Sequence, residues 1–451
     1  MSGPRDLAAI AAEVAGSAQA GEQVEAYVVR SYETEVKVFA GEVESLSVSE
    51  AAGIGVRVIA DGRQGIAYAG SIDADVVAAT LVDARDNAGY GAPDEGYGLA
   101  TPADVDREPV ALDLWRDDVL ATPTDVKVKL AVEADRAVLA ADPRVRGVES
   151  TDYGDAALEM AMAASTGVTA AVRRTSAGLS SSAMAGDRDE TQTGYGFDAA
   201  RSFGDLRVDH VAAMAAERAT RLLGATQPAT RRLPVILDPL VAASVLSLIG
   251  SALNGEAVLR GRSMFADRVG ETIAARIVTI ADDPTNPAAF GAVGVDGEGV
   301  PTRRVPLVEG GVLLGFLQNL YTARRSGSTT TGSAVRGYAS TPGVGARALH
   351  LQPGAQSPDE IRESVPEALY VQSVSGLHSG TNPVSGDFSV GAEGLIVRDG
   401  QFAEPVREIT IASTLPRMLL DVLAIGSDLT WLPGGTAGVT LMIDGMTMAG
   451  S

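Results

Sequence analysis

Apolar residues recur with a helical period from Leu7 to Ala18, and the period shortens to two between Val24 and Ala69. Glu35 to Phe39 alternates, Ala40-Gly41 interrupts, and the alternation resumes through Val43, Ser45 and Ser47. Asp61-Gly62, flanked by Gly53 to Ile59 and Gln64 to Ala69, is the strongest hairpin signal in the chain. These features predict an antiparallel meander. Ile72 to Asn87 follows as a helix capped by Ser71 or Asp73, and Thr124 to Ala141 as another, capped by Thr124 or Asp125 and stopped near Pro143. Between them, Gly89 to Pro109 is rich in Gly, Pro and acids and predicts an exposed excursion. Val145 to Tyr153, Ala157 to Ala164, Val168 to Ser176 and Asp189 to Phe197 predict four more strands, with a mobile Ser/Gly/Ala spacer from Thr175 to Gly186. Val208 to Leu223 has helical periodicity, and Gly224 to Thr230 ends the half.

The second half begins with a short strand, Leu233 to Leu237, and then Asp238-Pro239, an N-cap with proline at the first helical position. Val241 to Leu253 is apolar on nearly every face, which predicts a buried helix. Strand patterns follow at Ile273 to Ile280, Arg303 to Leu307, Val312 to Gln318, Leu369 to Val374, Gly394 to Val397, Val406 to Ile411 and Gly438 to Ile443, interrupted by a helix from Leu415 to Leu423. The predicted fold class is α+β. An N-terminal α/β domain with a mixed or antiparallel sheet and flanking helices occupies residues 1–228, and a β-rich C-terminal domain occupies 229–451. A length of 451 residues agrees with two cores better than with one.

Composition narrows the chemistry. The formal net charge of −22 opposes binding to phosphate backbones or an anionic membrane surface, so neither nucleic acid nor membrane is an expected partner. The absence of cysteine removes disulfides, thiol nucleophiles and every Cys-containing zinc motif, and fits a cytoplasmic location. Met1 to Gly16 carries Asp6 and Glu13 within its apolar pattern and reads as an amphipathic helix, not as a signal peptide. No apolar run approaches the roughly 20 residues that span a bilayer. Lys37, Lys127 and Lys129 are the only lysines; none follows a glycine in a Walker A loop or lies three residues after a serine. No Gly-x-Ser-x-Gly elbow occurs, and Gly53-Ile-Gly55 lacks the third glycine of a dinucleotide loop.

Only three histidines are present, and His-Glu-x-x-His is absent. His210 near a helix start and His350 before a Pro/Gly-rich loop predict surface positions; His378, in Ser375 to Gly380, is the one that merits weighing. Gly291 to Pro301, Gly327 to Tyr338 and Ser375 to Gly394 are dense in glycine and small polar residues. Such loops serve either as plain turns or as backbone exposed for close approach by an extended peptide. The candidate peptide contacts drawn from them are Gly332, Ser333, Arg336, His378, Ser379 and Asp387. The acids Asp282, Asp283, Asp296, Glu298 and Asp387 offer a metal or acid/base set, but Asp282-Asp283-Pro284 and Asp296 to Gly299 are equally good turn sequences, which favours a structural role. Arg324, Arg325 and Arg336 either hold carboxylates of a peptide or a neighbouring subunit, or form salt bridges within their own domain, the latter being favoured.

The run from Gly255 to Glu271 (GEAVLRGRSMFADRVGE) resembles the block that follows the metal helix in the TldD/PmbA family, also labelled modulator of DNA gyrase. Asp282-Asp283-Pro284, Asp296 to Pro301, Val308 to Gly311, Thr331 to Arg336, Ser385 to Ser389, Gly391 to Gly394 and Pro405 to Ile411 continue the resemblance in order. It implies that family's β-rich C-terminal domain and its α/β N-terminal domain. In the TldD branch the preceding helix carries His-Glu-x-x-x-His, two zinc ligands and a catalytic glutamate. Those positions fall here on Leu246, Ser247 and Ser251. Leucine has no lone pair to offer, and serine is a poor zinc ligand and a poor base at neutral pH. The family's cysteine ligand would fall around Gly434 to Gly438, in a chain without cysteine.

The resemblance is therefore to PmbA/TldE. It implies no catalytic residue and no metal in this chain, and zinc in a TldD-like partner. It also implies a heterodimer that cleaves extended peptides. Two alternatives stay open: a homodimeric peptide-binding protein, and an autonomous metallohydrolase using His378 with Asp387 or Glu393.

Overall fold

The computed structural model of the chain describes residues 5–187 and 190–450. Met1, where the first helical segment was expected to begin, and Asp189, the expected start of a strand, lie outside the described residues.

The N-terminal half is built of α1 (Leu7–Gly16), β1 (Glu22–Phe39), β2 (Glu42–Ala60), β3 (Arg63–Ala69), α2 (Ala74–Tyr90), α3 (Asp118–Ala121), α4 (Thr124–Ala141), β4 (Val145–Ala164), β5 (Thr169–Ala185), β6 (Gln192–Ala200) and α5 (Val208–Thr220). Its sheet runs β3-β2-β1-β4-β5-β6, every neighbouring pair antiparallel. Ala40-Gly41 and Asp61-Gly62 all have positive φ, the backbone that two-residue hairpins need to match strand twist. One face of the sheet is covered. Val24, Ala26 and Val28 of β1 pack with Ile10 and Val14 of α1 and Leu81 and Ala84 of α2, while α4 and α5 cover the far end through Ala131, Ala134 and Val211.

β4 is a single strand where two segments were expected, and β5 runs straight through the stretch expected to be a mobile spacer. Small residues conceal the alternation. Ala177, Leu179, Ser181, Ala183 and Ala185 are buried on every second position, and β6 pairs with β5 from Ala177↔Ala200 to Ala185↔Gln192.

The C-terminal half comprises β7 (Arg231–Leu237), α6 (Pro239–Ala252), α7 (Gly255–Leu259), β8 (Ile280–Asp282), β9 (Val305–Glu309), β10 (Val312–Leu313), α8 (Leu320–Ser326), β11 (Ala334–Val335), β12 (Gly343–Val344) and β13 (Leu349–Leu351), followed by α9 (Pro358–Glu363), β14 (Glu367–Ser375), β15 (Asp387–Arg398), β16 (Gln401–Thr414), α10 (Leu415–Leu420), β17 (Val422–Ile425), β18 (Thr430–Trp431), β19 (Ala437–Gly438) and β20 (Leu441–Ala449). The larger sheet runs β16-β15-β14-β7-β20-β17 and closes on itself through a further β16–β20 pairing; only β14–β7 is parallel. The smaller sheet runs β10-β9-β8-β13. Helix α6 shares the main core with both, burying Val241, Val245, Leu246 and Ile249.

The apolar run from Ile273 is strand only from Ile280, because Ile273 and Ala274 instead bond to the carbonyl of Gly311. The excursion after α2 is not simply exposed. Leu99 and Ala100 are buried against Val300 and Leu320, and Tyr97 packs on Tyr321 with ring centres 5.5 Å apart. No helix among the described residues is long and apolar enough to cross a membrane.

Candidate functional site

On the strands, the residues between those facing the helices point toward the C-terminal half. In β1 these are Glu25, Tyr27, Ser31, Glu33 and Glu35, and they meet two very different environments.

The first is a sealed ionic junction. Glu25 accepts hydrogen bonds from Nε and Nη2 of Arg57, each at 3.2 Å, and a close one from Arg336, whose guanidinium also lies 4.7 Å from the centre of the Tyr27 ring. Arg57 reaches Glu298 at 3.7 Å. All four side chains are at most 5 % exposed. Burial alone would raise the Glu25 carboxyl, but the charges of Arg57 and Arg336 outweigh it and hold the group below its ordinary value. Asp296 accepts backbone N–H groups from Glu298, Val300 and Ala334, and Glu298 accepts that of Leu320; burial pushes both carboxyls upward. Asp282 likewise accepts the N–H groups of Arg347 and Ala348, and burial pushes its carboxyl up to about 6. The structural reading of these acids therefore fits their contacts.

The arginines expected to pair within their own domain pair across the junction. Arg336 binds Glu25, Arg325 lies 3.4 Å from Asp94, and Arg324 donates to the carbonyls of Gly98 and Leu99. The reason is the excursion after α2, which brings its acids and carbonyls against α8.

The second environment is an open cleft. Beyond the junction the inward face of the sheet is floored by small residues, Gly154, Ala156, Ser176, Gly178 and Ala199, and roofed by Phe290 and Pro433. A cavity of about 430 Å³ contains the side chains of Arg174, Arg201 and Arg347, with Glu33 as its one carboxylate. It adjoins a hollow of about 470 Å³ whose lining includes Lys37, Tyr195 and Phe197 together with the acids Glu35, Asp152 and Asp198. Sequence reasoning missed this cleft. Its only sequence trace is an arginine at an inward position of a strand otherwise lined with small residues.

Of the candidate peptide contacts, Ser333 is 2 % exposed and hydrogen-bonded to Thr331, Gly332 sits against the carbonyl of Pro301, and Arg336 is enclosed in the junction. These three are brought together, but inside the protein. His378 and Ser379 stay exposed in the loop between β14 and β15, and Asp387 is exposed at the start of β15, where it accepts from Ser385 at 2.6 Å. His210 is exposed as expected, whereas His350 is buried in β13, bonded to the Ala348 carbonyl and set edge-on to Trp431.

Helix α6 is capped by Asp238, which accepts from Leu240 N–H at 3.0 Å. Leu246 points into the core at 2 % exposure, while Ser247 and Ser251 are exposed, the latter donating to the Ser247 carbonyl at 3.0 Å. Gly438 backs onto the carbonyl of Pro239 so closely that no side chain fits. Among the described residues, no three His, Cys, Asp or Glu side chains converge in a way that could hold a metal ion. The alkyl chain of Leu246 and the hydroxyls of Ser247 and Ser251 are not donors that fit zinc, and His378, Asp387 and Glu393 do not converge as a metal site in this structure.

Models of the first, central and C-terminal PmbA/TldA metallopeptidase domains match residues 24–88, 117–223 and 230–450. The chain belongs to the PmbA/TldD family. It is 27% identical to the Metalloprotease PmbA of Escherichia coli O157:H7 over 390 residues, covering 86% of this chain and 84% of that one. It is 26% identical to the Metalloprotease PmbA homolog of Haemophilus influenzae over 456 residues, 99% and 96% of the two chains. The crystal structure of TldE from Thermococcus kodakarensis superposes with a TM-score of 0.88 at 24% identity, covering 95% and 97%, which shows that this PmbA/TldD chain has the same fold.

Proposed function

We propose that this PmbA/TldD chain is a PmbA/TldE-like, non-catalytic subunit of a cytoplasmic zinc metallopeptidase that degrades or matures extended peptides. The zinc belongs to a TldD-like partner. The observation that carries the reading is α6, where the TldD ligand and base positions hold Leu246, Ser247 and Ser251. One of these is in the core and two are hydroxyls, so no water can be activated there through a metal.

The subunit role is supported by the far end of β2. Residues 42–53 pair with β1 on one side only, since β3 begins its pairing at Ile54. Leu46 and Val48 are 49% and 63% exposed along this edge. A long free strand edge with exposed apolar side chains favours a protein partner. Lys37 and Ser45 of the same arm line the cleft, so a partner docked there would border it.

The test is peptide cleavage by the purified chain, by a TldD-like partner, and by their mixture. The reading expects cleavage that depends on the partner and rises when this chain is added. Cleavage by this chain alone would overturn it.

A further inference from the structure

Every arginine at the sealed junction has a carboxylate; those of the cleft do not. Arg174 has no hydrogen-bond or ion-pair partner among the described residues. Among the described residues, the Arg201 guanidinium donates only to the Ala289 carbonyl, at 2.6 Å. Arg347 donates to the Ala334 carbonyl at 3.3 Å, and its Nε is buried without a partner. The acids electrostatically nearest Arg347, Asp282 and Asp296, are occupied by backbone N–H groups. Burial first, and then the like charge of Arg347, draw the Arg174 guanidinium below its ordinary value; burial and Arg174 do the same to Arg201. Three half-buried cations against the single exposed carboxylate of Glu33 make a local positive site in a chain of net charge −22. Like charges held together out of water are a costly arrangement unless an anion joins them.

From this we infer that the cleft binds the carboxylate of an extended peptide, with Arg174, Arg201 and Arg347 as its donors. A guanidinium presents paired N–H groups that match a carboxylate. The shape of the cleft distinguishes a peptide from a small free anion. The cavity continues over a floor of Gly154, Ser176, Gly178 and Ala199, which presents almost no side-chain bulk, into the hollow beside Tyr195 and Phe197. This inference rests on the peptide-handling role proposed above and names its substrate chemistry: a chain end, or an acidic side chain, presented as a carboxylate.

The experiment uses the whole chain, alone and with its TldD-like partner, and a short uncharged peptide labelled at its N-terminus. Three forms are compared by fluorescence anisotropy: free C-terminal acid, C-terminal amide, and amide with one internal glutamate. The acid should bind about tenfold or more tightly than the amide. Recovery with the glutamate peptide would assign the carboxylate to side chains as well as to the chain end. Arg174→Gln should abolish the difference between acid and amide, and Arg174→Lys should restore part of it. Raising ionic strength on the unaltered chain should weaken the acid and spare the amide, a readout that needs no variant. Equal binding of acid and amide, a difference that survives in Arg174→Gln, or no binding of any form would overturn the inference. If the complex cleaves acid and amide alike, the carboxylate site fails and the subunit role stands. If the acid is bound selectively but no partner-dependent cleavage occurs, the reverse holds.

Discussion

Arginines meet the same sheet face in two places, and the surroundings of each place define what the charge is for. Around Glu25, the guanidinium groups of Arg57 and Arg336 are sealed from water and matched by carboxylates from both halves of the chain. Around the cavity floored by Ala156 and Ser176, Arg174, Arg201 and Arg347 are half-buried and, among the described residues, have carbonyls or nothing as hydrogen-bond partners. A buried, fully paired arginine holds a fold in register, and its removal exposes the cost of the partner left behind. An arginine without a partner adds little to the fold and remains free to bind a ligand. Residue type is the same in the two groups; the acids brought by distant segments make the difference.

The largest expected effect is at the sealed junction. Arg336→Ala leaves Glu25 buried with half its counter-charge and should cost roughly 3–5 kcal/mol in urea unfolding. A loss below about 1 kcal/mol, the ordinary range for a surface ion pair, would remove the contrast between the two groups.

Next in size is a pH effect beside the cleft. Asp282, whose carboxylate holds the Arg347 backbone N–H, has its carboxyl raised from 3.8 to about 6 by burial. The folded chain therefore keeps a proton that the unfolded chain has released. The stability from this group falls as pH rises from about 4 to about 6, by roughly 3 kcal/mol at most. Asp282→Asn retains an oxygen for the N–H groups of Arg347 and Ala348 and should flatten that part of the profile. An unchanged slope in the variant would assign the titration elsewhere.

A smaller effect is expected on the free edge of β2. Leu46→Lys with Val48→Lys should weaken association with the partner by tenfold or more, about 1.4 kcal/mol, in sedimentation or calorimetry. The isolated chain should keep its melting temperature. Unaltered association would move the interface off this arm. The smallest effect sharpens the comparison most. Arg174→Gln should change stability by no more than about 0.5 kcal/mol, because no group among the described residues hydrogen-bonds or ion-pairs with that guanidinium. A loss comparable to that of Arg336→Ala would make the cleft arginine structural.

How much of this was legible in the sequence follows the same division. Helix α6 was readable because Asp238-Pro239 marks its start and the apolar run its burial. The Asp61-Gly62 hairpin was readable from turn chemistry alone. β5 was not, because Ser, Gly and Ala alternate in burial without alternating in hydropathy. Ile273 to Val278 misled in the opposite way, apolar enough for a strand yet held by bonds to a neighbouring turn. Leu246, Ser247 and Ser251 were assigned by register with the family block, and the structure places them on α6, one inward and two outward. Arg336 was noticed but its partner, Glu25, lies 311 residues away in sequence, so its enclosure could not be seen. Arg174 looks like any strand arginine until the fold places it in one cavity with Arg201, Arg347 and a single carboxylate, Glu33.

The central claim, that this PmbA/TldD chain supplies no zinc site and its partner does, is tested most directly by metal analysis. The chain, the TldD-like partner and their purified complex are each measured for zinc after dialysis against a trace of free zinc. Zinc is expected in stoichiometric amount in the partner and in the complex, and none above background in this chain. Stoichiometric zinc retained by this chain alone, and lost with Ser251→Ala or His378→Ala, would contradict it.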